Sequence, residues 1–184
     1  MQLVLASASP QRRAILAQLG ATFDVRPTGV QEVSEGDPVA VALENARRKA
    51  AACHAGPGEV VLGVDTLVAL DGRIYGKPDG EAEAAATLAA LSGRTHEVVS
   101  GLVVAREDGA EEVAVLTDVR FRDLPEAWIA WYLGTGEWRD RAGGYAIQGR
   151  GAALVRDVRG DYLNVVGLPL QALLDLLPEL VTPA

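Results

Sequence analysis

Asp65 stands in the stretch VVLGVDTLVAL, residues 60–70, with apolar residues on both sides. A carboxylate in that setting is costly unless it has a partner, ligates a metal or faces a cleft. It is the first candidate for chemistry, as a general base or as a cation ligand. Glu32, in the polar stretch Val30-Gln31-Glu32-Val33, offers a second acid. Mg²⁺ takes one or two carboxylates and completes its shell with substrate phosphate oxygens and water, so two acids would suffice. A lone loop glutamate is more often simply solvated, and spacing along the chain says nothing of spacing in space.

The cations are few in kind. The chain has two lysines, Lys49 and Lys77, and otherwise relies on arginine. Lys49 lies in ENARRKA on a helical stretch where Glu44 and Arg48 are spaced as an ordinary i,i+4 surface pair. One residue further round, Lys49 either shares that solvated face or contacts an anion. Lys77 lies in the turn Tyr75-Gly76-Lys77-Pro78, where the proline fixes the neighbouring backbone. A third cationic stretch is LVLASASPQRRAIL, residues 3–16. It reads as a buried strand, a small-residue loop with Ser7 and Ser9, and a helix that Ser9 caps and Pro10 opens. Arg12 and Arg13 fall in the first helical turn, where basic side chains oppose the helix dipole but suit a bound phosphate. Taken alone, this segment fits a phosphate site and an ordinary capped connection equally. It contains neither GxxxxGKS nor GxGxxG. Ala142-Gly143-Gly144-Tyr145-Ala146-Ile147-Gln148-Gly149 joins flexible backbone to one carboxamide, the composition of a loop that reads a base.

These groups must be held by a chain of 184 residues, long enough for a substantial core and expected to form one domain over residues 1–184. The net charge of −8 argues against a general nucleic-acid binder, which needs a basic stripe. No apolar run approaches bilayer length, and the N-terminus enters a strand without a signal-like apolar region, so a cytoplasmic protein without membrane partners is expected. Cys53 is the only cysteine, which excludes an internal disulfide and a cysteine-rich metal site. His54 and His96 are not spaced as a metal-ligand pair and read as structural or surface residues.

The pattern predicts strands near residues 23–27 and 60–69, the second turned by Asp71-Gly72 into a hairpin with 73–75. Helices are expected over 38–55, 81–91 and 125–133, with a last one ending near 177. Residues 96–106 and 112–121 alternate as an antiparallel pair, and further strands are expected at 152–158 and 162–166. Such a mixture implies an α/β protein with a central, partly antiparallel sheet.

Together the motifs resemble the Maf family of nucleoside triphosphate pyrophosphatases over nearly the whole chain. The resemblance rests on SASPQRRAIL (7–16), QE (31–32), ENARRKA (44–50), VLGVDTLV (61–68), GKP (76–78), LSGRTHEV (91–98), AGGYAIQG (142–149) and VVGLPL (165–170). It implies an inosine triphosphatase-like fold, in which a long curved mixed sheet and its helices form two lobes around a nucleotide cleft. It implies hydrolysis of a nucleoside triphosphate to the monophosphate and pyrophosphate with Mg²⁺ or Mn²⁺. Asp65 matches the family's general base or metal ligand, Glu32 a metal- or site-forming acid, and Ser7, Ser9, Arg12, Lys49 and Lys77 its phosphate-holding positions. A homodimer is the assembly the family suggests.

Three positions bear on specificity. The branch acting on dTTP and UTP typically shows Arg, Thr and Gln where this chain has Gln11, Thr66 and Gln148. The branch acting on 7-methyl-GTP resembles Trp, Gln and Glu there. Uracil and thymine present a donor beside an acceptor, which a carboxamide matches, whereas guanine presents two adjacent donors that suit a carboxylate. The expected substrates are dTTP and UTP. Gln11 keeps 7-methyl-GTP or broad specificity open, and a non-catalytic nucleotide-binding regulator of cell division is the alternative from another class.

Overall fold

The computed structural model describes residues 2–181. An inner strand, β1 (Gln2–Leu5), buries Leu3, Val4 and Leu5 fully, as a strand covered on both faces does. β1 lies parallel between β2 (Phe23–Val25) and β3 (Glu59–Leu70). β3 runs antiparallel to β5 (Thr95–Arg106), β5 to β6 (Gly109–Phe121), and β6 to β7 (Val155–Arg159). The short β4 (Arg73–Tyr75) folds back on β3 through Asp71 and Gly72, both at positive φ as a tight hairpin turn demands. The result is a seven-stranded mixed sheet ordered β2-β1-β3-β5-β6-β7, with β4 on the end of β3.

Helices cover both faces. α1 (Pro10–Gln18) and α2 (Pro38–Ala52) begin as expected, with Ser9 and Asp37 accepting hydrogen bonds from the Arg12 and Ala40 N–H groups. α3 (Glu81–Leu91) and α4 (Glu126–Leu133) pack beside β3's far end, while α5 (Tyr162–Val166) and α6 (Leu170–Leu176) lie with α1 on the face opposite α2. Residues 162–166, expected as a strand, are helical instead: the Asp161 side chain accepts from the Leu163 N–H and caps the turn. Five largely apolar residues carry too little periodicity to separate a buried strand from a helical turn. Residues 152–154 belong to a 3₁₀ segment, so β7 starts later than expected.

The two faces of β3 matter most. Val61, Gly63, Asp65, Leu67 and Ala69 face α2, whereas Leu62, Val64 and Thr66 face α1 and α5. α2 approaches very closely because Gly63 and Gly101 have no side chain there; a Cβ would land on the carbonyls of Ala46 and Ala42 respectively. Gly101→Ala should destabilise the protein by about 2–3 kcal/mol, lowering the melting midpoint by roughly 5–10 °C. An unchanged midpoint in a thermal scan would mean that the helix is not seated on these glycines.

Of the three tryptophans, Trp138 is buried, whereas Trp128 and Trp131 on α4 are 44% and 49% exposed, so core packing explains only the first. His96 is buried and His54 exposed.

Candidate active site

β1 ends and α1 begins in a loop whose polar atoms are largely committed to one another. The Ser7 hydroxyl accepts from the Ser9 N–H at 3.2 Å and from Arg12 Nη1 at 2.8 Å. Arg12 also donates from Nε to the Gly167 carbonyl at 2.9 Å and from Nη2 to Thr66 Oγ1 at 3.1 Å. Burial pushes its guanidinium below the usual value, and the carboxylates of Asp65 and Glu32 pull it back up. A guanidinium has five N–H donors, so the groups left over can still meet an anion. Gln11, at the start of the same helix, accepts from the Ser9 hydroxyl at 3.2 Å. Thr66 Oγ1 lies 2.9 Å from Ser100 Oγ, which ties this cluster to β5.

On the other face of β3, α2 delivers Lys49 to Asp65. Its Nζ lies 2.6 Å from Asp65 Oδ1 and 2.6 Å from Glu32 Oε1, and donates to the Val64 carbonyl at 3.4 Å. Lys49 therefore belongs to the site and not to the solvated face of its helix. Glu44 and Arg48 do form the expected surface pair, at 2.7 Å. The difference is one of angle: α2 sits so close to the sheet that a residue 100° round from an exposed arginine points inward. Asp65 and Lys49 are nearly buried, while Glu32 remains largely open to the cleft.

Asn45, one helical turn before Lys49 and 2% exposed, was not among the candidates. Its Nδ2 donates to Asp65 Oδ2 at 3.0 Å and to the Val33 carbonyl at 2.9 Å, and its Oδ1 accepts from the Val33 N–H at 2.7 Å. The i,i+4 spacing to Lys49 was the available signal, because it places both side chains on one stripe of the helix.

The opposite wall is the glycine loop. Gly143 and Gly144 adopt positive φ, and a Cβ on Gly143 would meet the Val68 side chain, so only glycine lets this segment lie against β3. The Gly143 N–H donates to the Gly76 carbonyl at 3.0 Å, which joins the loop to the turn carrying the exposed Lys77. The Ala146 N–H donates to the Tyr132 hydroxyl at 2.9 Å, and His96 Nε2 shares a 2.9 Å hydrogen bond with the Tyr145 hydroxyl. Burial holds the His96 imidazole down at about 4 and pushes the Tyr132 hydroxyl up to about 12, so both are neutral struts at pH 7. Gln148 follows on this scaffold with its side chain exposed.

A cleft of about 1200 Å³ is lined by Ser7, Ser9, Gln11, Arg12, Glu32, Lys49, Asp65, Thr66, Lys77 and Gln148 together. Glu137, Arg139 and Arg141 line it too, and none of the three was singled out from the sequence. They sit in an irregular stretch where charge alone carries no signal. Among the described residues no group of three or more His, Cys, Asp or Glu side chains forms a ready metal cage. The donor chemistry still suits a hard divalent cation, since Glu32 and Asp65 are oxygen donors that both reach Lys49 and both line the cleft. Two carboxylates facing a cleft suit an ion that completes its shell with phosphate oxygens and water.

Comparison with known proteins follows this geometry. The model of the Maf-like protein family matches residues 2–180. A dTTP/UTP pyrophosphatase of Pyrococcus furiosus is 45% identical over 181 residues, covering 96% of this chain and 94% of that protein. The protein of the same name from Anaeromyxobacter dehalogenans is 51% identical over 175 residues, covering 92% and 89%. That from Moorella thermoacetica is 50% identical over 181 residues, covering 96% and 93%. Among solved structures, the Ham1 protein of Staphylococcus aureus aligns with 67% of this chain and 73% of its own, at 15% identity and a TM-score of 0.47.

Proposed function

This chain belongs to the Maf-like protein family, and on that premise we propose that it is a pyrophosphatase hydrolysing dTTP and UTP to the monophosphate and pyrophosphate. The name shared by relatives at 45–51% identity supports the activity. The single structural observation that carries the reading is the meeting of Asp65, Lys49 and Glu32 at one point in a cleft large enough for a nucleotide.

In this reaction water attacks the α-phosphorus, the bond from that phosphorus to its bridging oxygen breaks, and pyrophosphate leaves. Asp65 takes the water proton; each of its oxygens has one contact with Lys49 or Asn45, and a carboxylate oxygen can accept more than one hydrogen bond. Lys77 and the free donors of Arg12 hold phosphate oxygens as charge spreads in the transition state, and Lys49, whose three N–H groups meet Asp65, Glu32 and the Val64 carbonyl, adds its positive charge beside them. At the start of α1 Pro10 has no N–H and that of Arg12 goes to Ser9, so the Gln11 N–H adds the polarised anion contact there. A bound Mg²⁺ or Mn²⁺, held by Glu32 and Asp65, would supply Lewis-acid neutralisation of the phosphates. In this proposal residues 1–184 act as one catalytic domain in the cytoplasm, where the nucleotide pool lies, and as a homodimer, the assembly that the family resemblance implies.

Gln148 is the base-reading residue in this proposal. Gln148→Glu should lower kcat/KM for UTP and dTTP relative to 7-methyl-GTP by about 10-fold, because a carboxylate has no N–H to donate to the pyrimidine carbonyl that the carboxamide would meet. Parallel kinetics on the three nucleotides measure it, and unchanged ratios would remove Gln148 from base recognition. Gln11, held on Ser9, places no cation at the helix start and favours a broader substrate range as a second reading.

The test is incubation with dTTP, UTP, CTP, ATP, GTP and 7-methyl-GTP, with Mg²⁺, with Mn²⁺ and with EDTA, and chromatography of the products. Monophosphate and pyrophosphate chiefly from dTTP and UTP, lost in EDTA, is the expected result. Similar turnover of all six would favour the broader reading. Diphosphate and orthophosphate would overturn the mechanism, and no turnover would return the chain to a binding role.

A further inference from the structure

Asn45 is placed as no ordinary core asparagine needs to be. It contacts two parts of the cleft that are distant in sequence, Val33 beside Glu32 and Asp65 in the middle of β3. We propose that Asn45 is a positioning residue for the reaction, setting the Asp65 carboxylate and the Glu32 segment in one rigid frame. The proposal rests on the site assignment made above and deepens it.

An aspartate's terminal torsion is soft and roughly two-fold, so a carboxylate held by one partner can rotate and exchange its oxygens. Lys49 fixes only Oδ1, at 2.6 Å. A lysine ammonium sits on a flexible stem and imposes little direction. Asn45 fixes Oδ2 at 3.0 Å from a side chain that is itself locked at both ends of its amide. With both oxygens assigned, the carboxylate plane is set, and so are the lone pairs left for an incoming water. A proton acceptor turned away from its water loses much of the benefit of being preassembled.

Glu32 depends on the same amide. Residues 27–34 form neither helix nor strand, so no backbone ladder holds them. Asn45 supplies one in miniature: its amide meets both the N–H and the carbonyl of Val33, as a neighbouring strand would. That pairing pins the residue next to Glu32, whose carboxylate then reaches the same Lys49 nitrogen that holds Asp65. Loss of Asn45 therefore loosens both acids at once, while every cation in the cleft stays in place.

A double-mutant cycle separates positioning from mere support. Asn45→Ala in the wild-type background should lower kcat for UTP by about 30-fold with KM changed less than about threefold. In an Asp65→Asn background the same change should cost clearly less, about tenfold at most, because one of the two groups it holds is already gone and only the Glu32 segment is loosened. Equal losses in both backgrounds, or wild-type kcat in Asn45→Ala, would overturn the proposal. Asn45→Asp provides a second variant if the alanine protein melts below the assay temperature. It keeps the volume and an acceptor for Val33 but sets a second carboxylate against Asp65, so wild-type kcat there would also overturn the proposal. If Asp65→Asn itself turned over normally, the site assignment would fail first, and the two failures are thus distinguishable.

Discussion

Asp65→Asn is expected to give a folded protein whose kcat for dTTP and UTP is about 1000-fold below wild type, in the range measured when a general base is removed. The side chains are isosteric, so β3 and its glycine contact with α2 are untouched. One local conflict is unavoidable. Asp65 accepts from Lys49 on one oxygen and from Asn45 on the other, and an amide can present an acceptor to only one of them. The cost should be about 1–2 kcal/mol, kept low because Lys49 retains Glu32 as its counter-ion, too small to unfold the protein and visible as a melting midpoint a few degrees lower. Single-turnover assays with UTP, alongside a thermal scan, measure both quantities. Near-normal kcat in the folded variant would remove Asp65 from the reaction, whereas a collapsed midpoint would show that its partner bonds matter chiefly for folding.

Lys49→Met is the second large effect, and it acts on stability and activity together. Methionine fills the space of the lysine stem, so no cavity opens. What disappears is the ammonium that lies 2.6 Å from both Asp65 and Glu32. Removing one member of a buried pair leaves its partner's charge uncompensated, and that penalty exceeds the net contribution of the intact pair. Glu32 is 45% exposed and water from the cleft relieves it, but Asp65 is only 10% exposed and keeps Asn45 alone. A loss of about 2–3 kcal/mol is expected, below the range for fully buried pairs because of that water. In kcat/KM the loss of the cation that holds both acids in the cleft should cost about 100-fold or more. Denaturant unfolding at neutral pH and steady-state kinetics check the two numbers. The double variant Lys49→Met with Asp65→Asn should recover part of the stability and none of the activity, since the orphaned charge is removed with the base. Wild-type stability and rate in Lys49→Met would place the lysine on the rim, outside the reaction.

The elements that came through from sequence were those with strong local signals. Ser9-Pro10 and Asp37-Pro38 start helices where the side chain caps and the proline fits the first turn. Asp71-Gly72 turns the hairpin because both residues accept positive φ. The segment at 162–166 went the other way: a short apolar run is decided by what it packs against, and Asp161 supplied the cap that made it a helix. Lys49 shows the same limit at the site. Its neighbours Glu44 and Arg48 behave as surface residues, and nothing local states that the next position turns toward Asp65.

The sequence by itself determined which residues stood out chemically: a carboxylate inside an apolar strand, two lysines among arginines, a capped helix start and a glycine loop with one carboxamide. Those are properties of residue type and immediate neighbours, and they survive in any fold. Only the tertiary structure decided which groups meet. Alternation along β3 sends Asp65 to the α2 face and Thr66 to the α1 face, and the bare backbones of Gly63 and Gly101 let α2 come close enough for Lys49 and Asn45 to reach the carboxylate. Distances of this kind depend on how separate elements pack, and a sequence records packing only through the sum of all its contacts.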